Sequence, residues 1–171
     1  MSLKEIKKKF REWRERVSEE PSYPELYEIA LSLVGNMNTK GETIRRFCQE
    51  VELENLDGLF LSALINTCEE EKIELANLEK VDFVGYRNQR KIKIDGSVGR
   101  HLGEAMSEGR IVVHGDAGER AGEEMSGGVI TIKGDSGPRT GLGMTGGKII
   151  VKGETGEEAG WCKKGGEIID K

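Results

Sequence analysis

From residue 92 onward, apolar residues fall in short runs that recur every 19 positions: Ile92-Lys93-Ile94, Ile111-Val112-Val113, Ile130-Thr131-Ile132, Ile149-Ile150-Val151 and Ile168-Ile169-Asp170. Each run predicts a short β-strand. Side chains alternate faces along a strand, so Ile92, Ile111, Ile130, Ile149 and Ile168 form one inward column, and Ile94, Val113, Ile132 and Val151 a second. β-branched residues suit such a stacked, pleated surface. The residue between them reads Lys93, Val112, Thr131, Ile150, Ile169, an outward column that is apolar over several turns. Parallel sheets are ordinarily covered on both faces, which makes Val112, Ile150 and Ile169 candidate interface residues, facing either the chain's own helices or a partner.

The first part of the chain follows a different period. Leu3, Ile6, Phe10, Trp13 and Val17 are spaced by three and four, an apolar stripe that predicts an amphipathic helix over 3–17. Its Lys7-Lys8-Lys9 run is interleaved with Glu5, Glu12, Glu15, Glu19 and Glu20, which reads as a solvated face rather than a membrane surface. A second helix carries Leu26, Tyr27, Ala30, Leu31 and Val34 and stops near Gly35. A third opens around Thr39 with Ile44, Phe47 and Val51, and a fourth runs from Asp57 through Leu59, Phe60, Ala63, Leu64 and Thr67. Ile73 and Leu75 lie one period before Ile92 and Ile94, so residues 73–90 read as an atypical first coil that lacks the later glycines.

Those glycines keep the same period. Gly96, Gly99, Gly103 and Gly109 are followed by Gly115, Gly118, Gly122 and Gly128, then Gly134, Gly137, Gly141 and Gly147, then Gly153, Gly156, Gly160 and Gly166. A period of this length marks a solenoid, whose coils bury their apolar faces only by stacking. The glycines are expected at structural turns, where the backbone needs positive φ or passes close to the next coil. Small residues align at other corners (Ala117, Ser136, Thr155; Ala121, Thr140, Ala159), and Met106, Met125 and Met144 form a flexible core column. In the last coil Lys163 takes that methionine position beside Trp161, as a modified cap would. The fold class expected is α+β: a helical N-terminal domain over 1–78, then a right-handed parallel β-helix with 19-residue coils over 79–171. The helices would shield the first edge of the solenoid.

Charge separates the two parts: all of the net −5 sits in residues 1–78, and the repeat region is balanced. Phosphate binding calls for clustered cations, so nucleic acid is not expected as a partner. No signal sequence and no apolar run of bilayer length is present, and a cytoplasmic protein is expected. Cys48, Cys68 and Cys162 are odd in number and scattered, without CxxC spacing, which argues against disulfides and structural zinc.

Two stretches imitate catalytic motifs. Gly134-Asp135-Ser136-Gly137 spells the GDSG of serine proteases, and Gly141-Leu142-Gly143-Met144-Thr145-Gly146 spells a dinucleotide fingerprint. Both are products of the repeat. The Ser136 column reads Val98, Ala117, Ser136, Thr155, and the fingerprint leads to a strand at Ile149, not a helix. His101 shares a column with Arg120, Arg139 and Glu158, a weak anion-site candidate because two adjacent guanidiniums suit a carboxylate or phosphate. His114 shares one with Asp95, Lys133, Lys152 and Lys171, and the two histidines do not stack as a metal pair. The column Ser97, Asp116, Asp135, Glu154 does not make a calcium-binding solenoid, whose period is nine. No catalytic residue, metal site or cofactor is expected.

The GxxGxxxG pattern followed by a fourth glycine and a β-branched strand, strict over 92–171, resembles the GXGXG domain. That domain closes the large polypeptide of glutamate synthase and also occurs in formylmethanofuran dehydrogenase. The resemblance implies a right-handed β-helix with a structural role, its partners carrying the amidotransferase, flavin or iron–sulfur chemistry. None of those modules occurs here, so the resemblance implies a stand-alone, non-catalytic assembly subunit of such an oxidoreductase. Two other readings stand beside it: a small esterase-like hydrolase using Ser136 or Ser126 with His101 or His114, and a homo-oligomer joined through Val112, Ile150 and Ile169 or through the C-terminal edge, Glu167 to Lys171.

Overall fold

The computed structural model describes residues 1–17, 21–35 and 38–170. Glu19, Glu20 and Lys171, assigned above to a charged helix face and a polar column, lie outside them. Four helices come first: α1 (Leu3–Val17), α2 (Tyr23–Val34), α3 (Gly41–Glu50) and α4 (Asp57–Asn66). Six strands follow: β1 (Lys72–Leu78), β2 (Lys91–Val98), β3 (Arg110–Val113), β4 (Val129–Ile132), β5 (Lys148–Val151) and β6 (Glu167–Asp170). They form one parallel sheet in chain order, the signature of a solenoid. Among the described residues no helix is long and apolar enough to cross a membrane.

Register follows the 19-residue period. Ile73 pairs with Ile92, Ile92 with Ile111, Ile111 with Ile130, Ile130 with Ile149 and Ile149 with Ile168. The atypical first coil expected from Ile73 and Leu75 is therefore present. Strand pairing begins at Lys72, on the helical side of the boundary drawn at residue 78, and buried residues from Ile6 to Val151 make one continuous core. The inward columns are buried through Val151, and so are Met106, Met125 and Met144. In the final turn Ile168 is half-buried and Asp170 exposed.

The helices close the first edge of the stack. α3 packs on β1, and α4 is buried against the corner that follows β1. There the Ser62 hydroxyl donates to the Phe83 carbonyl and accepts from the amides of Gly85 and Tyr86. The chain between helices adds short parallel bridges, Thr39 to Cys68 and Asn55 to Val81. The first of these leads directly into α3, which opens at Gly41, two residues after Thr39, as the sequence pattern suggests.

Glycine is required for two different reasons. A Cβ on Gly137 would lie 2.6 Å from the Glu119 amide nitrogen and 2.7 Å from the Gly118 carbonyl carbon, so coils here touch backbone to backbone. Gly128 has φ +80°, and its Cβ would also meet the Glu108 carbonyl oxygen at 2.7 Å. Other corner columns reach the left-handed region without glycine: Phe83, His101, Arg120, Arg139 and Glu158 all have φ between +57° and +61°.

Candidate functional site

That left-handed corner column turns its side chains toward a second column. Backbone hydrogen bonds define the latter, because Arg87, Ala105, Glu124 and Gly143 donate their amides to the carbonyls of Glu104, Glu123, Leu142 and Trp161 on the following coil. Tyr86, Glu104, Glu123, Leu142 and Trp161 thus align, and two glutamates occupy adjacent rungs of a column that is otherwise aromatic or aliphatic.

His101 faces both of them. Its Nδ1 lies 2.7 Å from Glu104 Oε2 and 3.0 Å from Glu123 Oε2. The three side chains are largely buried, 13–17% exposed. The imidazole is held from behind by Phe83, stacked at a centroid distance of 4.4 Å and 8° from parallel, with Tyr23 at the start of α2 6.5 Å away. Nδ1 is hydrogen-bonded to Glu104, while Glu123 Oε2 is buried without a directed hydrogen bond. Burial, then the neighbouring Glu104 carboxylate, pushes the Glu123 pKa above the usual carboxylate range, against the opposing pull of His101 and Arg120.

The guanidiniums of the weak anion-site candidate are engaged by carboxylates of the chain itself. Arg120 Nε contacts Glu119 at 3.1 Å, and Arg139 contacts Glu158 at 2.6 Å and Glu119 at 3.6 Å. His114 Nδ1 is 3.1 Å from Asp95, apart from His101 as its column implied. Ser136 is buried at its corner and accepts a hydrogen bond from Thr140 Oγ1, while Ser126 is exposed. Among the described residues no imidazole hydrogen-bonds to either serine.

Asp116 Oδ1 accepts the Asp135 amide, and Asp135 Oδ1 the Glu154 amide, so the acidic column ties one coil to the next. An open recess of about 460 Å³ between the end of α3 and the turn after β1 is ringed by Glu50, Glu52, Glu54, Glu79 and Lys80. It contains no histidine. Among the described residues, His101, Glu104 and Glu123 alone bring three metal-ligating donors together, their ligand atoms within 4.8 Å of one another. The sequence pattern did not single out the two glutamates. Their 19-residue spacing and the His101-x-x-Glu104 step were the signal.

The outer face of the sheet is the other feature of note. Val112, Thr131, Ile150 and Ile169 are all half-buried, screened by their neighbours along the column and by no helix of the described chain. Beyond it, Trp161 is 54% exposed on the last turn, with the Arg139 guanidinium 5.6 Å from its ring. No family model and no curated protein matches this sequence.

Proposed function

We propose that the protein is a non-catalytic assembly subunit that docks through its solenoid to the subunits of a multi-subunit oxidoreductase of the glutamate synthase or formylmethanofuran dehydrogenase type. The observation that carries this reading is the outer column of Val112, Ile150 and Ile169, which the chain's helices leave uncovered because they pack on the first coil. The glycine pattern supports the choice of enzyme class through its resemblance to the GXGXG domain. Partners carrying amidotransferase, flavin or iron–sulfur chemistry would supply the reaction, in the cytoplasm. The buried, Thr140-bonded hydroxyl of Ser136 favours this over the hydrolase alternative.

The test is affinity capture of the full chain from its native cytosol, with subunits identified by mass spectrometry and by flavin and iron content. Recovery of an amidotransferase, flavin or iron–sulfur subunit from wild type, and its loss from Ile150→Glu, is the expected result. Capture of the chain alone would overturn it, and capture only of further copies of itself would overturn it in favour of the homo-oligomer.

A further inference from the structure

We propose that His101, Glu104 and Glu123 form a site for one divalent transition-metal ion of the zinc or manganese class, held between the coil that begins with β2 and the coil that begins with β3. The proposal is independent of the docking role, since the cluster lies at the corner beside α2 and Phe83, away from the outer column.

The composition of the rungs is the first argument. A column that carries Tyr86, Leu142 and Trp161 elsewhere carries carboxylates only on the two coils that His101 faces. Stacking two glutamates at one rung spacing in a largely buried place costs free energy unless a cation offsets it. One imidazole nitrogen stands between both. The directed hydrogen bond joins Nδ1 to Glu104, whereas Glu123 Oε2, buried and 3.0 Å from the same nitrogen, has no directed hydrogen bond of its own. The nearest guanidinium, Arg120, holds Glu119 through Nε and reaches only to 3.9 Å from Glu123.

Geometry gives the second argument. An ion with bonds of about 2.0–2.2 Å places adjacent ligand atoms about 3.0–3.5 Å apart, depending on its geometry. Nδ1 lies 2.7 and 3.0 Å from the two carboxylate oxygens, so modest side-chain rotations open the space an ion needs once the imidazole hydrogen sits on Nε2. Stacking on Phe83 fixes the plane of the imidazole, which limits the ordering required on binding. The donor set of one imidazole and two carboxylates suits Zn²⁺ or Mn²⁺, whereas Mg²⁺ and Ca²⁺ prefer oxygen alone. Three protein donors leave a further coordination position for water.

The experiment titrates the chelator-treated full-length chain with Zn²⁺ and with Mn²⁺ near neutral pH, by calorimetry and by thermal unfolding. One equivalent should bind and raise the melting temperature. Glu123→Gln should weaken binding by at least about 10–100-fold, the loss seen when only an outer-shell partner is removed. In the absence of metal that variant should melt at or above the wild-type temperature, because it relieves the paired carboxylates. Glu104→Gln serves as a second ligand variant should the first fail to fold, and His114→Ala should bind as wild type does. Absence of binding to wild type would overturn the proposal. Binding to a folded Glu123→Gln or Glu104→Gln variant as tight as wild type would overturn it as well.

Discussion

The imidazole of His101 lies flat on the ring of Phe83, centroids 4.4 Å apart, and the two residues hold equivalent left-handed positions on successive coils, with φ of +59° and +61°. Phe83 is 2% exposed, and its carbonyl accepts the Ser62 hydroxyl of α4. It therefore joins the helical cap, the first corner and the histidine. Phe83→Ala should destabilise the protein by about 3–5 kcal/mol, the usual cost of emptying a buried aromatic site. Urea unfolding should show this as a lower midpoint at unchanged slope.

Much of this architecture can be read in the sequence because a solenoid writes each contact several times. The Ile73, Ile92, Ile111, Ile130, Ile149, Ile168 ladder needs only a constant period, and the pairing follows it from β1 to β6. The first corner is hidden. Register shifts between Ala76 and Leu78, and Gly85 precedes Gly103 by 18 residues, so Gly85 and Phe83 escape a period of 19. Yet Gly85, with φ +75°, faces Ile111 as Gly103 faces Ile130. The carboxylate pair is hidden for a different reason. Periodicity aligns residues along the stack, whereas His101 meets Glu104 and Glu123 across it.

Glu123 gives the apo protein a pH dependence of definite sign. Its pKa in the folded state is raised, so between the unfolded carboxylate value of about 4.3 and that higher value the native state binds more protons than the unfolded one. The stability contributed by the protonated form is complete below the unfolded pKa and is lost as pH rises through the folded pKa. Glu123→Gln removes this term. In chelator, the variant should gain on wild type as pH rises through that window, and the difference should close on acidification. Melting temperatures of both proteins across the acid range measure it.

The thiols should separate by burial. Cys48 and Cys68 are buried and Cys162 is exposed. Desolvation pushes the Cys48 pKa up to about 12, so almost none of it is thiolate near neutrality, and the Cys68 pKa is raised by burial too. A disulfide reagent should label one thiol per native chain rapidly and all three in denaturant. Rapid labelling of Cys48 without denaturant would mean that α3 does not sit on the core as described.

Two glycines within one apparent motif should respond differently to the same substitution. Gly141 and Gly143 both have positive φ, +71° and +64°. A Cβ on Gly141 would come within 2.6 Å of Ile168 Cδ1, inside the corner, whereas the nearest group to one on Gly143 is Glu124 Cγ at 3.7 Å. Arg87, Ala105, Glu124 and Cys162 already take the Gly143 position on other coils with φ of +51° to +56°. Gly143→Ala should therefore cost only about 1–2 kcal/mol, the left-handed penalty of an L-residue. Gly141→Ala adds to that penalty the displacement of a core side chain, about 1–3 kcal/mol more. Gly137→Ala should exceed both, because the Cβ meets backbone that cannot move without unstacking a coil. The order Gly143, Gly141, Gly137 in rising cost, measured by chemical unfolding, follows from corner geometry. A dinucleotide-binding loop would instead make Gly143, the second glycine of the fingerprint and the one that lets the backbone approach a pyrophosphate, among the least replaceable for binding.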